Sequence, residues 1–391
     1  MYIEIENSDI KNFSEQKVIL FGAGSCGLRA IEEFEKVGAE VIGFCDNNTA
    51  LRGKRINGHI ILSPNDLYSY PDASVIITST YATEIRKQLD QMKIKSCFIA
   101  KVGVLKTTIE ISEFYNKTCN GKEANKVIHN GLLNNKPFFV GRLGSVELEC
   151  LSHYLYLIDR HTESYPDNVK MIMNINAGFF PKEDYLLDYF SKIYINDLKE
   201  MDLIWTMWFS KYENFLYRDI ASDIVVSPYD DSYLPNNYDT PWTRALEGKR
   251  VLVIHPFEVS IINNYSIIDK IHPNNLIPQF ELITLKAVQS IAGTHTEFNT
   301  WFDALEFMKS KIDKIEFDIA LIGAGAYGLP LGAYVKSIGK KAVHVGGALQ
   351  LYFGIKGKAW DKLGIYNEYW TSPLDNERPE GFAKVEAGRY W

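Results

Sequence analysis

Apolar positions along the chain fall into short runs rich in Val, Ile and Phe, several of them followed by a glycine-bearing turn and then by apolar residues at helical spacing. Residues 18–21 predict a buried strand, Gly22-Ala23-Gly24-Ser25-Cys26-Gly27 a tight turn, and residues 28–37 a helix closed by Gly38. A strand over 40–44 leads to Asp46, and another over 73–78 runs into Ser79 and Thr80 before a helix over about 83–92. The same order returns further on. A strand over 138–140 precedes Gly141-Arg142-Leu143-Gly144-Ser145-Val146-Glu147 and a helix reaching Leu155. A strand over 317–322 precedes Gly323-Ala324-Gly325-Ala326-Tyr327-Gly328 and a helix over 329–338 closed by Gly339. Between them lie expected strands over 201–205, 251–254 and 281–285 and helices over 183–194 and 298–311, with a last strand over 341–345. Strands alternating with helices predict an α/β chain with mostly parallel sheets.

Length divides this pattern. A chain of 391 residues exceeds the about 100–200 residues that one core usually organises. We expect a Rossmann-like nucleotide-binding unit over 1–105 and a larger one over 106–391, joined through the polar stretch 106–135, which carries a helix. With 46% hydrophobic and 23% charged residues the chain can bury large cores, and it has none of the bias of disordered sequences. The formal net charge of -7 argues against a nucleic-acid partner, since affinity for phosphate backbones comes from clustered Lys and Arg. Five scattered cysteines form no C-x-x-C pair, so neither a disulfide framework nor a zinc site is expected. The polar, acidic start and the lack of a long apolar run predict a cytoplasmic protein without a transmembrane segment, with docking at the inner membrane surface left open. Self-association into a homo-oligomer is equally open.

In the first unit, Gly22 permits the turn, Gly24 lets backbone N–H groups approach a pyrophosphate, and Gly27 lets helix and strand pack closely. Asp46 lies at roughly the 20-residue spacing at which an acid meets a nucleotide ribose, so NAD(P) is one candidate ligand there. Packing glycines around an empty site explain the same pattern.

In the second unit, Arg142 and Glu147 mark a strand-to-helix junction where a guanidinium suits a phosphate or carboxylate. His255 and Glu258 follow another strand and form a candidate acid/base pair. The turn at Gly323, Gly325, Tyr327 and Gly328 repeats the dinucleotide pattern. The strand after it ends in Gly346-Gly347 with no acid for a ribose, which leaves an N–H-rich pocket for phosphates. The loop 174–181 could line that pocket. Residues 227–241 read as a long surface loop that could act as a lid. Met207-Trp208-Phe209 reads as core. The aromatics near the end, Trp360, Tyr366, Tyr369, Trp370, Tyr390 and Trp391, suit either sugar stacking or packing.

Two resemblances add to this. FGAGSCG, GFCDNN and IITST resemble the small Rossmann-like domains of bacterial sugar-modifying and polysaccharide-biosynthesis proteins. From about 135 to 391, Arg142-x-Gly144-Ser145-Val146-Glu147 and LIGAGAYGLPLGAYVKSIGKKAVHVGGALQLYFG resemble bacterial glycosyltransferases of the GT-D fold type. That family carries an Arg-x-Gly-Asp-Gly-Glu segment whose acids serve a nucleotide-sugar donor and its metal. Ser145 stands where the family has the first Asp, which puts Mn or Mg in question and leaves Glu147 as the remaining metal-ligating acid.

The resemblance implies transfer of a sugar from a nucleotide-diphosphate donor, foremost a UDP-sugar, to a hydroxyl of a surface glycan or lipid-linked glycan. Arg142, Gly144, Ser145, Gly323, Gly325, Tyr327, Gly328 and Gly347 would bind the donor, and Glu147, His255 or Glu258 would serve as base. Two alternatives stand beside it: an NAD(P)-dependent oxidoreductase of nucleotide sugars using Gly22, Gly24, Gly27 and Asp46, and a non-catalytic nucleotide-sugar-binding module.

Overall fold

The computed structural model describes residues 3–5, 7–23, 25–56, 58–79, 82–100, 117–158, 164–207, 211–229, 234, 238 and 240–391. The chain divides into two compact units, Met1–Ile109 and Glu110–Trp391. Each is α/β with a mostly parallel sheet, as the alternation of elements predicts.

The first unit carries strands β1 (Ile3–Ile5), β2 (Lys17–Phe21), β3 (Glu40–Cys45), β4 (Arg55–Ile56), β5 (His59–Leu62), β6 (Ser74–Ile77) and β7 (Cys97–Ala100). They form one sheet in the order β1-β7-β6-β2-β3-β5-β4, and only the β4–β5 pairing is antiparallel. Successive residues of β2 feed opposite faces: Val18 and Leu20 pack with Phe13, Phe34 and Phe44, while Ile19 and Phe21 pack with Leu62, Ile77 and Leu89. This two-sided burial requires the continuous apolar run seen in the sequence. Helix Ser25–Lys36 connects β2 to β3, and helix Ala82–Gln91 connects β6 to β7. The short strands β1, β4, β5 and β7 add to the three expected from the pattern.

In the second unit the strands are β8 (Phe138–Arg142), β9 (Leu203–Thr206), β10 (Val225–Pro228), β11 (Arg250–His255), β12 (Glu281–Lys286), β13 (Ile319–Ile322) and β14 (Lys341–His344). All pair in parallel in the order β10-β9-β8-β14-β13-β11-β12. Helices Gly121–Leu133, Ser145–Ile158, Asp167–Ile175, Asp184–Leu198, Glu258–Tyr265, Trp301–Ile312 and Gly328–Ser337 accompany them. Two start on full capping boxes, Asn120 with Glu123 and Thr300 with Asp303. The chain leaves β8 toward β9 on one side, whereas β14 receives it from β13 on the other. The strand order therefore reverses between β8 and β14, the kind of point where open α/β sheets form a ligand crevice at their carboxyl ends.

The expected surface loop 227–241 is corrected in part. Its first two residues close β10, with Ser227 fully buried, and it runs into Trp242, which is also fully buried. Residues 230–233, 235–237 and 239 of that segment lie outside the described residues, as do Trp208, Phe209 and Gly24. Among the described residues no helix is long and apolar enough to cross a membrane.

Candidate functional site

Four adjacent strands of the second unit end at one level. Ile254 of β11 pairs with Ile322 of β13, and Ile322 pairs with His344 of β14, so the next residues, His255, Gly323 and Val345, share a row. Val343 pairs with Val140 of β8, which brings Arg142 to the same row. These ends open into a cleft of about 140 Å³ lined by Arg142, Gly144, Ser145, Glu147, His255, Gly323, Gly325, Tyr327 and Gly347. Gly328 and Glu258 lie outside this lining. Gly328 is buried where a side chain would run into the His344 ring, so its role is packing. Glu258 opens helix Glu258–Tyr265, whose N–H groups at Val259 and Ser260 are taken by the buried Glu377 carboxylate.

The glycine turn is held from three sides. The Gly323 N–H donates to the Ile254 carbonyl at 2.9 Å, and the Tyr194 hydroxyl donates to the Ala326 carbonyl. Tyr327 stacks on Trp301 at 4.7 Å and 6°, and its hydroxyl meets Ser290 Oγ at 2.9 Å. Gly323 allows close approach: a Cβ there would lie 2.5 Å from His255 Cδ2 and 3.0 Å from the Gly346 carbonyl oxygen. Gly346 has φ +73°, and a Cβ on it would lie 3.3 Å from Arg142 Nη1. Arg142 and His255 thus share one neighbourhood across two glycines.

Side-chain chemistry in this cleft is dominated by donors. Arg142 sits 5.2 Å from the Tyr229 ring centroid and makes no ion pair with a carboxylate among the described residues. His255 is 3% exposed, and its Nδ1 accepts the Phe257 N–H at 3.0 Å. Burial lowers its pKa to about 3, so the ring is neutral near neutral pH. A neutral ring whose Nδ1 accepts carries its proton on Nε2, which has no hydrogen-bond partner among the described residues. In this tautomer His255 donates from Nε2 and offers no lone pair there, contrary to the expected base. The Gln289 Nε2 is also buried without a partner and belongs to the same wall.

His344, in the same cleft, went unremarked in the sequence because it sits inside an apolar strand. Its Nδ1 lies 3.3 Å from the Ile322 carbonyl, and burial, with the Arg142 charge, lowers its pKa to about 3. The outer wall was missed as well: Val385, Glu386, Tyr390 and Trp391 fold back over the strand ends. The buried Gln350 amide holds that segment by donating to the carbonyls of Lys356 and Tyr390 at 2.9 and 3.0 Å. Trp360 and Trp370 of the same tail are buried as core, whereas Tyr390 and Trp391 both pack and line the cleft. Of the loop 174–181, Asn176 and Ala177 reach the lining.

Two acids flank these donors. The Glu147 carboxylate folds back over Gly144, where any side chain would run into it, and burial raises its pKa. Glu386 pairs with Arg389 at 2.6 Å. The resembled family would place a divalent metal here, but the donor set does not fit one. Ser145 offers a hydroxyl in place of a carboxylate, Glu386 is already paired, and the His255 nitrogen without a partner carries a proton. Among the described residues no three His, Cys, Asp or Glu side chains come together in a metal-binding group.

In the first unit, Gly22 (φ +121°) closes β2 beside Thr78 and Ser79, and a side chain on Gly27 would run into the Gly22 carbonyl. Asp46 Oδ2 accepts the Ala23 N–H at 2.8 Å, and its Oδ1 accepts the Asn48 N–H at 2.8 Å. The acid expected to meet a ribose therefore ties the turn to β3, and it occupies one of the turn's own N–H groups. Gly24 lies outside the described residues.

Fold and site define a chain of two Rossmann-like α/β units, the second with a donor-rich cleft at the carboxyl ends of a parallel sheet. Residues 14–99 match the family described as C2185-like, N-terminal. No curated protein matches the chain. Among solved structures it is similar to the "selenomethionine substituted structure of domain of unknown function 1792 (DUF1792)", at 14% identity and a TM-score of 0.39, over 68% of this chain and 90% of that one.

Proposed function

We propose that the second unit is a glycosyltransferase whose cleft binds a nucleotide-diphosphate sugar, foremost a UDP-sugar, and passes the sugar to a hydroxyl of a glycan or lipid-linked glycan. The observation that carries this reading is the gathering of Arg142, His255 and the Gly323–Tyr327 turn at one sheet edge, with Glu147 beside them. A cleft rich in donors suits an oxygen-rich anion, and backbone N–H groups at a helix start add to that preference.

In the reaction the bond from the anomeric carbon to the diphosphate oxygen breaks, and the acceptor oxygen forms the new bond to that carbon. The electron pair of the broken bond leaves on the diphosphate, where Arg142 stabilises it. The acceptor proton passes to a base. Glu147 is the cleft carboxylate outside any ion pair, and its raised pKa brings it closer to the range in which a carboxylate takes up a proton. Burial of the cleft's inner end strengthens these charge interactions relative to water.

The test is product formation by the purified chain with a panel of UDP-, GDP-, CMP- and dTDP-sugars and glycan acceptors. Arg142→Ala and Glu147→Ala should each lower transfer by about 100-fold or more, as loss of a charge-stabilising or acid/base group commonly does. Transfer that persists unchanged in both variants would place the chemistry elsewhere.

A further inference from the structure

We propose that the inner end of the cleft is a diphosphate site that works without a divalent cation, in which Arg142 and the Nε2–H of His255 bind the phosphate oxygens, His255 serving as a hydrogen-bond donor.

Three features of the cleft support it. Arg142 is a permanent cation with five N–H donors, and among the described residues no carboxylate pairs with it. His255 is 3% exposed, and its tautomer is dictated by the Phe257 N–H at 3.0 Å. His255 lines the cleft with its Nδ1 already taken, which leaves the Nε2–H to an acceptor that enters there. Gly323 and Gly346 keep the space between these two groups free of side chains. Both glycines approach them closely, with a Cβ on Gly323 2.5 Å from His255 Cδ2 and one on Gly346 3.2 Å from Arg142 Cδ.

The acids on the same wall, Glu147 and Glu386, bear on the alternative. A cation bridging them to phosphate would need Glu386 to leave Arg389 and Glu147 to unfold from Gly144. The guanidinium supplies the positive charge in place and fixed in orientation, and the imidazole adds a directional bond without charge. The imidazole donates from Nε2 in its neutral form and in its protonated form alike.

This inference rests on reading the cleft as a nucleotide-sugar site, and its test needs no sugar transfer. Binding of inorganic pyrophosphate and of UDP to the full chain is measured by calorimetry in EDTA and in Mg²⁺. The affinity in EDTA should match that in Mg²⁺ within about twofold, and Arg142→Gln should weaken it by about tenfold or more, the value of a charge-assisted bond. His255→Asn keeps an acceptor for the Phe257 N–H and lacks the outer donor, so it should fold and bind about five- to tenfold more weakly. In the wild-type chain, ¹⁵N-histidine NMR should show the Nε2–H tautomer, with the Nε2 resonance moving when pyrophosphate is added. Binding that requires Mg²⁺, or His255→Asn binding as the wild type does, or an Nε2 resonance indifferent to pyrophosphate, would overturn the proposal. Metal-free pyrophosphate binding without any sugar transfer would uphold this site and refute the transferase reading. Transfer that depends on Mg²⁺ would do the opposite.

Discussion

Two of the buried histidines, His255 and His344, make stability in the second unit depend on pH with a predictable sign and size. His255 and His344 both titrate at about 3 in the folded chain, against 6.5 for an ordinary imidazole. Folding therefore keeps them neutral while the unfolded chain protonates them. The stability they contribute is complete above about pH 6.5 and is lost as the pH falls toward 3. At about pH 5 each ring in the unfolded chain lies roughly 1.5 units below its pKa, and at about 1.36 kcal/mol per unit this is about 2 kcal/mol per ring. Urea unfolding followed by tryptophan fluorescence measures it cleanly, because all seven tryptophans lie beyond residue 200 and so report on this unit. Asp197 works the other way: burial raises its pKa to about 7, so its contribution grows as the pH falls through neutrality. His272, also lowered by burial, adds to the acid loss. Both are common to wild type and variants and cancel in the difference. His255→Asn and His344→Asn should each reduce the loss between about pH 7.5 and pH 5 by about 2 kcal/mol, and the double variant by about 4. A double variant with the wild-type pH dependence would show that the rings are not buried and neutral as described.

Other predictions follow from single contacts. Gly328→Ala would push a methyl into the His344 ring, so it should cost about 1–3 kcal/mol, read as a lowered Tm. Ala387 has φ +57° between Glu386 (φ +46°) and Gly388 (φ +74°), a left-handed turn in the segment that walls the cleft. Ala387→Gly should therefore raise stability by about 1 kcal/mol and leave transfer intact, checked by urea midpoint and turnover. Glu147→Gln should abolish transfer yet stabilise the fold at neutral pH. Burial raises the Glu147 pKa, so the wild-type acid contributes its full stability only at low pH and loses it as the pH rises through that value. The advantage of the amide should accordingly shrink in urea titrations at acid pH.

Much of the scaffold was legible because its signals are local. The run 18–21 with Gly22 and Gly27, and the run 317–322 with Gly323 and Gly328, each need only a few neighbouring residues to specify strand, turn and helix. Arg142 and Glu147 were readable for the same reason, since they flank one helix start. What escaped depends on contacts across the chain. The short strands β1 and β7 are too brief for their periodicity to stand out, and they pair with each other from opposite ends of their unit. His344 looked like strand interior, and only the pairing of β14 with β13 and β8 places it at the cleft. The wall from Val385 to Trp391 has no periodic pattern at all; Gln350, Gly347 and Phe257 draw it back onto the strand ends. The tautomer of His255 depends on a backbone N–H two residues on, which follows from the loop geometry after β11.

Binding of a nucleotide sugar's diphosphate in the second unit's cleft would depend on Arg142. Calorimetric titration of UDP into the full chain and into Arg142→Gln tests it most directly. The wild type should show saturable one-site binding, weakened by about tenfold or more in the variant. Equal affinity in the two proteins, or no binding to either, would contradict it.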